Sequence, residues 1–336
     1  MKRLEKEQTT QGEATQAKKA QGANDGIDRR KFLECMAWAG TGVLWTFAAG
    51  VPRSGLLAQA VKNGAAAAHG SGGDFSFVQI SDSHIGFNKG ANPNVTGTLQ
   101  TAIDRINATP AAKAPHFMIH TGDITQNSKA AEFDTAAQVI KSANVGETFY
   151  VPGEHDFIDD GDQYKQRFGK GTQGNGYYSF DHKGVRFLGL NNCVQVDAMG
   201  NIGADQLAWM KSELAGLSRS TPIVVFAHIP LWMVYEKWGW GTKDGEEALN
   251  LLRPFGSVTV LNGHIHQVMQ KVEGNLAFHT ATSTAFPQPA PGTAPNPGPM
   301  AVPADRLASV LGVTDVSVMH GQHHLAVVDH NLAEKA

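Results

Sequence analysis

Five apolar runs in this chain stop, one after another, at an acid or a histidine, and that recurrence limits the fold more than any bulk property. Residues 75–81 run into Asp82-Ser83-His84, and residues 116–120 into Thr121-Gly122-Asp123. Residues 148–151 deliver Pro152-Gly153-Glu154-His155-Asp156, residues 222–226 deliver Ala227-His228, and residues 257–260 lead through Leu261-Asn262 to Gly263-His264-Ile265-His266. Each run is short and rich in β-branched or aromatic residues, which reads as a buried strand. Between them, residues 94–108, 129–142 and 203–217 carry apolar side chains at helical spacing. Leu99, Ile103 and Ile106 mark the first face, and Leu207, Met210 and Leu214 the last. Strands alternating with helices predict a layered α/β fold, with ligand-type residues at the carboxyl ends of the strands.

The His264/His266 pair shows what such an end can do. If the strand continues through them, residues two apart face the same side and both imidazoles aim at one point. Gly263 is then expected to supply a sharp bend. Imidazoles and carboxylates converging on one point suit a transition metal.

Charge narrows the partners. Residues 1–60 carry nine Lys/Arg against six Asp/Glu, and the remainder holds 19 against 25. The main body is therefore acidic, and no nucleic-acid polymer is expected as a partner. Cys35 and Cys193 are the only cysteines, so no disulfide framework is expected.

The order Asp-x-His, Gly-Asp, Gly-Glu-His-Asp, His and Gly-His-x-His resembles the calcineurin-like metallophosphoesterase superfamily, whose pattern reads D-x-H, G-D, G-N-H-[DE], H and G-H-x-H. The resemblance covers residues 75–270. Gln206-Leu207-Ala208-Trp209-Met210 is also similar to a helix of the cyclic-nucleotide-phosphodiesterase-like branch. The resemblance implies a four-layer α/β/β/α sandwich and two divalent or trivalent transition-metal ions, with Mn, Fe or Zn suiting the donors. One ion would take Asp82, His84, Asp123 and His266, the other Asp123, Glu154, His228 and His264, with Asp123 bridging. It further implies that His155 contacts the phosphoryl group or protonates the leaving oxygen, and that Asp156 orients His155. The substrate is expected to be a small phosphoester, a phosphodiester as the first reading and a phosphomonoester as the second. A catalytically silent phosphate-binding scaffold is the reading of another class. One position departs from the pattern: Glu154 stands where the family usually has Asn. Gln126 occupies the place of the purple acid phosphatase tyrosine, so no ferric–tyrosinate centre is expected.

Other residues carry weaker signals. Asn191 and Asn192 end a further strand of a hairpin formed by residues 177–180 and 185–190, and either touch phosphate or cap a turn. Trp232 belongs to an aromatic stretch, residues 231–241, that reads as a substrate wall or as a local cluster. His279 ends another strand and is a candidate for the cleft. His116 and His120 read as structural, and His320, His323 and His324 as loop histidines before a last strand. Seven prolines between 287 and 303 mark residues 285–305 as a loop rather than a domain.

Residues 1–27 are polar, and Asp28-Arg29-Arg30-Lys31-Phe32-Leu33 precede an apolar run interrupted by Gly40, Gly42 and Gly50. Leu57-Ala58-Gln59-Ala60 follows. This resembles a twin-arginine (Tat) export signal and implies passage through the Tat translocase to a periplasmic or extracytoplasmic site. The expected organisation is a leader over 1–60, a linker over 61–73 and one catalytic domain over 74–336.

Overall fold

Alternation along one strand decides how the layers stack. In β3 (Phe75–Ile80), Phe75, Phe77 and Gln79 face one way and Val78 and Ile80 the other, and the whole strand is buried or nearly so. A strand apolar on both faces needs cover on both. The computed structural model describes residues 43–48, 51–56, 73–193, 196, 199–319 and 325–334. Two units are distinguished, residues 1–65 and 66–336. In the first, β1 (Val43–Ala48) and β2 (Val51–Leu56) pair antiparallel. The twin arginine, the cleavage region near Ala60, residues 61–72 of the expected linker, and His320, His323 and His324 lie outside the described residues. Among those described, no helix is long and apolar enough to cross a membrane.

The second unit holds two sheets. The chain runs from β3 through α1 (Val95–Asn107), β4 (Met118–His120), α2 (Ala130–Ile140), β5 (Thr148–Tyr150) and α3 (Asp162–Phe168). It continues through β6 (Tyr178–His182), β7 (Val185–Gly189), α4 (Ala204–Ala215), β8 (Ile223–Phe226), α5 (Gly245–Leu252) and β9 (Val258–Asn262). β10 (Gln270–Glu273), β11 (Leu276–Thr280), α6 (Ala304–Val310), β12 (Gly312–Val318) and β13 (Ala326–Asn331) complete it. One sheet has the order β10-β11-β9-β8-β7-β6, the other β13-β12-β3-β4-β5. β3, β4 and β5 run parallel, as do β7, β8, β9 and β11, with helical crossovers between most of them.

Three apolar clusters cement four layers. Leu99, Ile103 and Ile106 of α1 and Phe133 and Ile140 of α2 cover Val78, Ile80 and Met118. Met210 and Leu214 of α4 with Leu249 and Leu252 of α5 cover Leu188, Val225 and Val260. Between the sheets lie Phe75, Phe77, Phe117, Phe187, Phe226 and Leu261. The fold is the α/β/β/α sandwich expected from the sequence. The β6–β7 turn is tighter than expected: only Lys183 and Gly184, both at positive φ, leave the ladder. The proline-rich loop ends at Pro303, which caps α6 rather than extending the loop to 305.

Candidate metal centre

All five strand ends open on the same edge. Asp82 and His84 follow β3, Asp123 follows β4, and Glu154 and His155 occupy a 3₁₀ turn after β5. His228 follows β8, and His264 and His266 follow β9. The side chains do not converge by strand alternation, however. Asp82, His84, Asp123, His264 and His266 all have positive φ, between 43° and 71°. Each is a non-glycine residue in the left-handed region, a state that costs free energy and persists only where its surroundings hold it. The strands have ended, and the backbone coils so that each ligand-type side chain turns inward. Nor is Gly263 the bend: its φ is ordinary, and a Cβ there would strike Ser81 Oγ and Asp82 Oδ2. Close approach, rather than conformation, requires that glycine.

The donor atoms form four groups, each with its atoms within 4.8 Å of one another: Asp82/His84/His266, Glu154/His228/His264, Asp82/Asp123/His228 and His84/Asp123/His155. Asp123 lies between the first two, with Oδ2 3.5 Å from His84 Nε2 and 3.3 Å from His228 Nε2. His266 Nε2 is 3.3 Å from Asp82 Oδ1. Glu154 spans the second group, Oε2 at 2.9 Å from His228 Nε2 and Oε1 at 3.0 Å from His264 Nδ1.

The donors fit two ions. His228 Nδ1–H donates to Thr121 O at 2.7 Å, which leaves the Nε2 lone pair facing three carboxylates. His266 Nδ1–H likewise donates to Phe286 O at 2.5 Å, which turns the Nε2 lone pair towards His84 Nε2, 3.1 Å away. His84 Nδ1, Glu154 Oε2, His228 Nε2 and both His264 ring nitrogens are buried without a hydrogen-bond partner. Such groups are costly unless something binds them. Ligand atoms on one ion, each about 2.0–2.2 Å from it, stand about 3 Å apart when cis, which is the spacing seen here. The electrostatics agree for His84, Asp82 and Glu154, while the Asp123 and Glu154 carboxylates outweigh burial at His228 and raise its pKa. Burial holds the His84 pKa at about 3, so the ring is a neutral donor. Burial alone would raise Asp82 and Glu154, but neighbouring imidazoles outweigh it and keep both carboxylates ionised.

His155 stands at the rim, its ring 5.0 Å from that of His84. Its Nδ1–H donates to Gln126 O at 2.9 Å, leaving Nε2 as the free nitrogen. Asp156 does not orient it. Asp156 is buried and accepts instead from the Ile124, Thr125 and Gly153 N–H groups and from Thr125 Oγ1, at 2.8–3.0 Å. It fastens the Asp123 loop to the Glu154 loop through their backbones.

Of the four substrate candidates from the sequence, Asn192, His279 and Trp232 fall outside the centre, and Asn191 lines the cavity beside it. Asn191 is consumed by Gln206, Asn175 and Cys193 N–H. Asn192 holds both the N–H and C=O of Ile229 and Thr242 Oγ1. His279 is buried, with Nε2 2.9 Å from Asp329 Oδ1 and Nδ1 facing Gln270, so it ties β11 to β13. Trp232 packs on Phe278, ring centroids 4.9 Å apart, beside the helix-covered face. His120, read as structural, and Phe286, Ser283 and Thr284, which carried no signal, belong to the centre's surroundings. Phe286 packs at a tilt against His84 and His266, with both centroid distances 4.8 Å. Ser283 Oγ donates to Asp82 O at 2.7 Å. A cavity of about 680 Å³ adjoins the Glu154–His155 turn through Phe157 and Cys193, and Lys165, Asn175 and Tyr177 line it further out.

A family model described as calcineurin-like phosphoesterase matches residues 75–268. The chain is 26% identical over 220 residues to a probable glycerophosphodiester phosphodiesterase of Arcobacter nitrofigilis, covering 61% of this chain and 77% of that protein. It is 25% identical over 182 residues to a probable cyclic nucleotide phosphodiesterase of Synechococcus sp., covering 53% and 69%. Among solved structures, a dimetal phosphatase from Danio rerio superposes with a TM-score of 0.56 at 13% identity, covering 77% of this chain and 97% of that one. The purple acid phosphatase of yellow lupin also gives 0.56, at 12% identity, over 80% and 53%. Both share the fold.

Proposed function

Because this chain belongs to the calcineurin-like phosphoesterase family and is a metal-dependent phosphoester hydrolase, we propose that its substrate is a phosphodiester. Glu154 carries the proposal. It brings a third buried carboxylate where the family usually has a neutral Asn, and it lies within 3.0 Å of both His228 and His264. An added negative charge there disfavours a dianionic monoester more than a monoanionic diester. The two relatives named for phosphodiesterase activity support this direction.

Asp82, His84, Asp123 and His266 would hold one ion, and Asp123, Glu154, His228 and His264 the other, as Mn, Fe or Zn. Bound, such ions supply positive charge for the phosphoryl oxygens and lower the pKa of water towards neutrality. The protein's own groups do the rest. With a second proton on Nε2, the His155 imidazolium donates to a phosphoryl oxygen or passes that proton to the departing alkoxide, held in place through Nδ1–H by Gln126 O. Phe286 walls one side of the centre and keeps bulk water from His84 and His266. Export by the Tat translocase to an extracytoplasmic compartment completes the proposal and rests on residues 28–60 of the sequence.

The test compares bis-p-nitrophenyl phosphate with p-nitrophenyl phosphate on protein loaded with Mn, Fe or Zn, with Asp123→Asn as the inactive control. The diester should be preferred, and Glu154→Asn should shift the kcat/KM ratio about tenfold towards the monoester. A preference for the monoester in the unaltered protein, or an unchanged ratio and metal content in the variant, overturns the proposal.

A further inference from the structure

One buried imidazole outside the ligand set touches both halves of the centre. His120 ends β4, is fully buried, and follows two apolar residues, Met118 and Ile119. A core residue at that place would normally be apolar, since a buried polar ring must find partners for both nitrogens. His120 finds them in the ligand loops. Its Nδ1 accepts from Gly122 N–H at 3.2 Å, so the ring proton sits on Nε2 and is donated to Ser83 Oγ at 2.8 Å. Ser83 stands between Asp82 and His84. Burial lowers the His120 pKa to about 4, which keeps the ring neutral, and these two partners fix its tautomer.

The Gly122 bond matters because of what the same peptide unit does on its other side. Thr121 O and Gly122 N–H belong to one planar amide. The carbonyl accepts from His228 Nδ1–H at 2.7 Å, and that bond leaves the His228 Nε2 lone pair facing Asp123 and Glu154. A continuous chain of donors therefore runs from His228 through the 121–122 amide and the His120 ring to Ser83. The amide has little freedom otherwise: Gly122 has φ 92°, and a Cβ there would come within 2.7 Å of Gly153 N and His228 Nδ1. Rotating it would deprive His228 of its acceptor and carry Asp123 with it.

We propose that His120 is a positioning residue that registers the two ion groups to each other, holding the Asp82–His84 loop by Ser83 Oγ and the His228 acceptor by Gly122 N–H. The inference rests on the reading of the centre as a two-ion site. Backbone bonds already zip the loops, Asp82 N to Gly122 O at 3.0 Å and His84 N to Asp123 O at 2.9 Å, and His120 fixes them from behind. Partners of metal ligands commonly alter metal affinity by about 10–100-fold when removed.

The test measures Mn or Zn binding by calorimetric titration, and reads occupancy at each group from anomalous scattering in crystals soaked at limiting metal. Thermal unfolding of the metal-free protein is followed in parallel. His120→Leu should weaken both binding steps about 10–100-fold, by more than any loss in metal-free stability accounts for. His120→Asn, which keeps an acceptor near Nδ1, should spare the Glu154/His228/His264 group. His120→Gln, which keeps a donor near Nε2, should spare the Asp82/His84/His266 group. Ser83→Ala removes only the hydroxyl and should lower affinity at the latter group alone. Wild-type affinity in His120→Leu overturns the inference, as does equal loss at both groups in the Asn and Gln variants. Should the His120 variants not fold, wild-type affinity in Ser83→Ala overturns it, and a selective loss supports it. A wild-type protein that binds neither ion would overturn the two-ion reading itself.

Discussion

Two regions of this molecule are equally buried and built on opposite terms. Between the sheets, Phe77 and Phe117 stack with centroids 5.0 Å apart, Phe180 and Phe187 at 4.7 Å, and Phe117 meets Phe187 edge-on at 5.5 Å. These rings sit on regular strands or beside them, and their contacts are complete without any ligand. A few residues on, at the carboxyl ends of the same strands, Asp82 and His228 are just as inaccessible. There Asp82, His84, Asp123, His264 and His266 hold a left-handed backbone, and His228 Nε2, Glu154 Oε2 and both His264 ring nitrogens are buried without a hydrogen bond. Burial alone does not separate core from site; the satisfaction of the buried atoms does. The aromatic layer supplies the stability that the ligand edge draws on.

The largest effect expected of a single substitution breaks the aromatic side. Phe77→Ala should cost about 3–5 kcal/mol by transfer loss and cavity formation. Chemical denaturation should show nearly the same loss in the metal-loaded and metal-free protein. If the loss were confined to the loaded form, the two regions would not be separable as argued. Next comes the ligand edge. Chelation of both ions should lower stability through lost binding, by about 2.7 kcal/mol for each ion present at one hundred times its Kd. In a domain of this size that amounts to about 5–10 °C per ion in a thermal melt. An unchanged melting temperature after chelation would mean that the unpartnered donors are not waiting for cations.

The sequence made the layers and the ligand types legible because each rests on a local pattern. Period-two and period-3.6 apolar spacing gave β3, β4, β8, β9, α1, α2 and α4, and acids or histidines at strand ends gave the seven ligand-type residues. α5 was missed although Ala248, Leu249 and Leu252 mark an apolar face, but two other missed elements lack such patterns. α3 reads Asp-Gln-Tyr-Lys-Gln-Arg-Phe and buries only Tyr164, and β10 buries none of its residues fully. Orientation was not legible either. Asp82, His84, His264 and His266 converge through positive φ, which no spacing rule reports, and Asp156 turned its carboxylate to the backbone rather than to His155. Phe286, Ser283 and Thr284 reach the centre across about 200 residues of sequence, so only the fold reveals them. His120 was hidden by the opposite problem. A histidine inside an apolar strand is usually structural, and only the two loops it touches distinguish it.

The smallest effect tests where the ligand edge stops. Trp232 lies four residues after His228, and its aromatic neighbours read equally well as a wall for substrate. Its ring packs on Phe278 of β11, against the face covered by α4 and α5, and is only partly buried. A residue of that kind contributes packing, with an aromatic pair worth about 0.5–1.5 kcal/mol beyond its buried area. Trp232→Leu should therefore lower stability by about 1 kcal/mol and leave KM for the diester within about twofold, equivalent to 0.4 kcal/mol. Steady-state kinetics beside a denaturant melt separates the outcomes. A severalfold rise in KM with unchanged stability would extend the substrate-binding edge past His228 and return this tryptophan to the cleft.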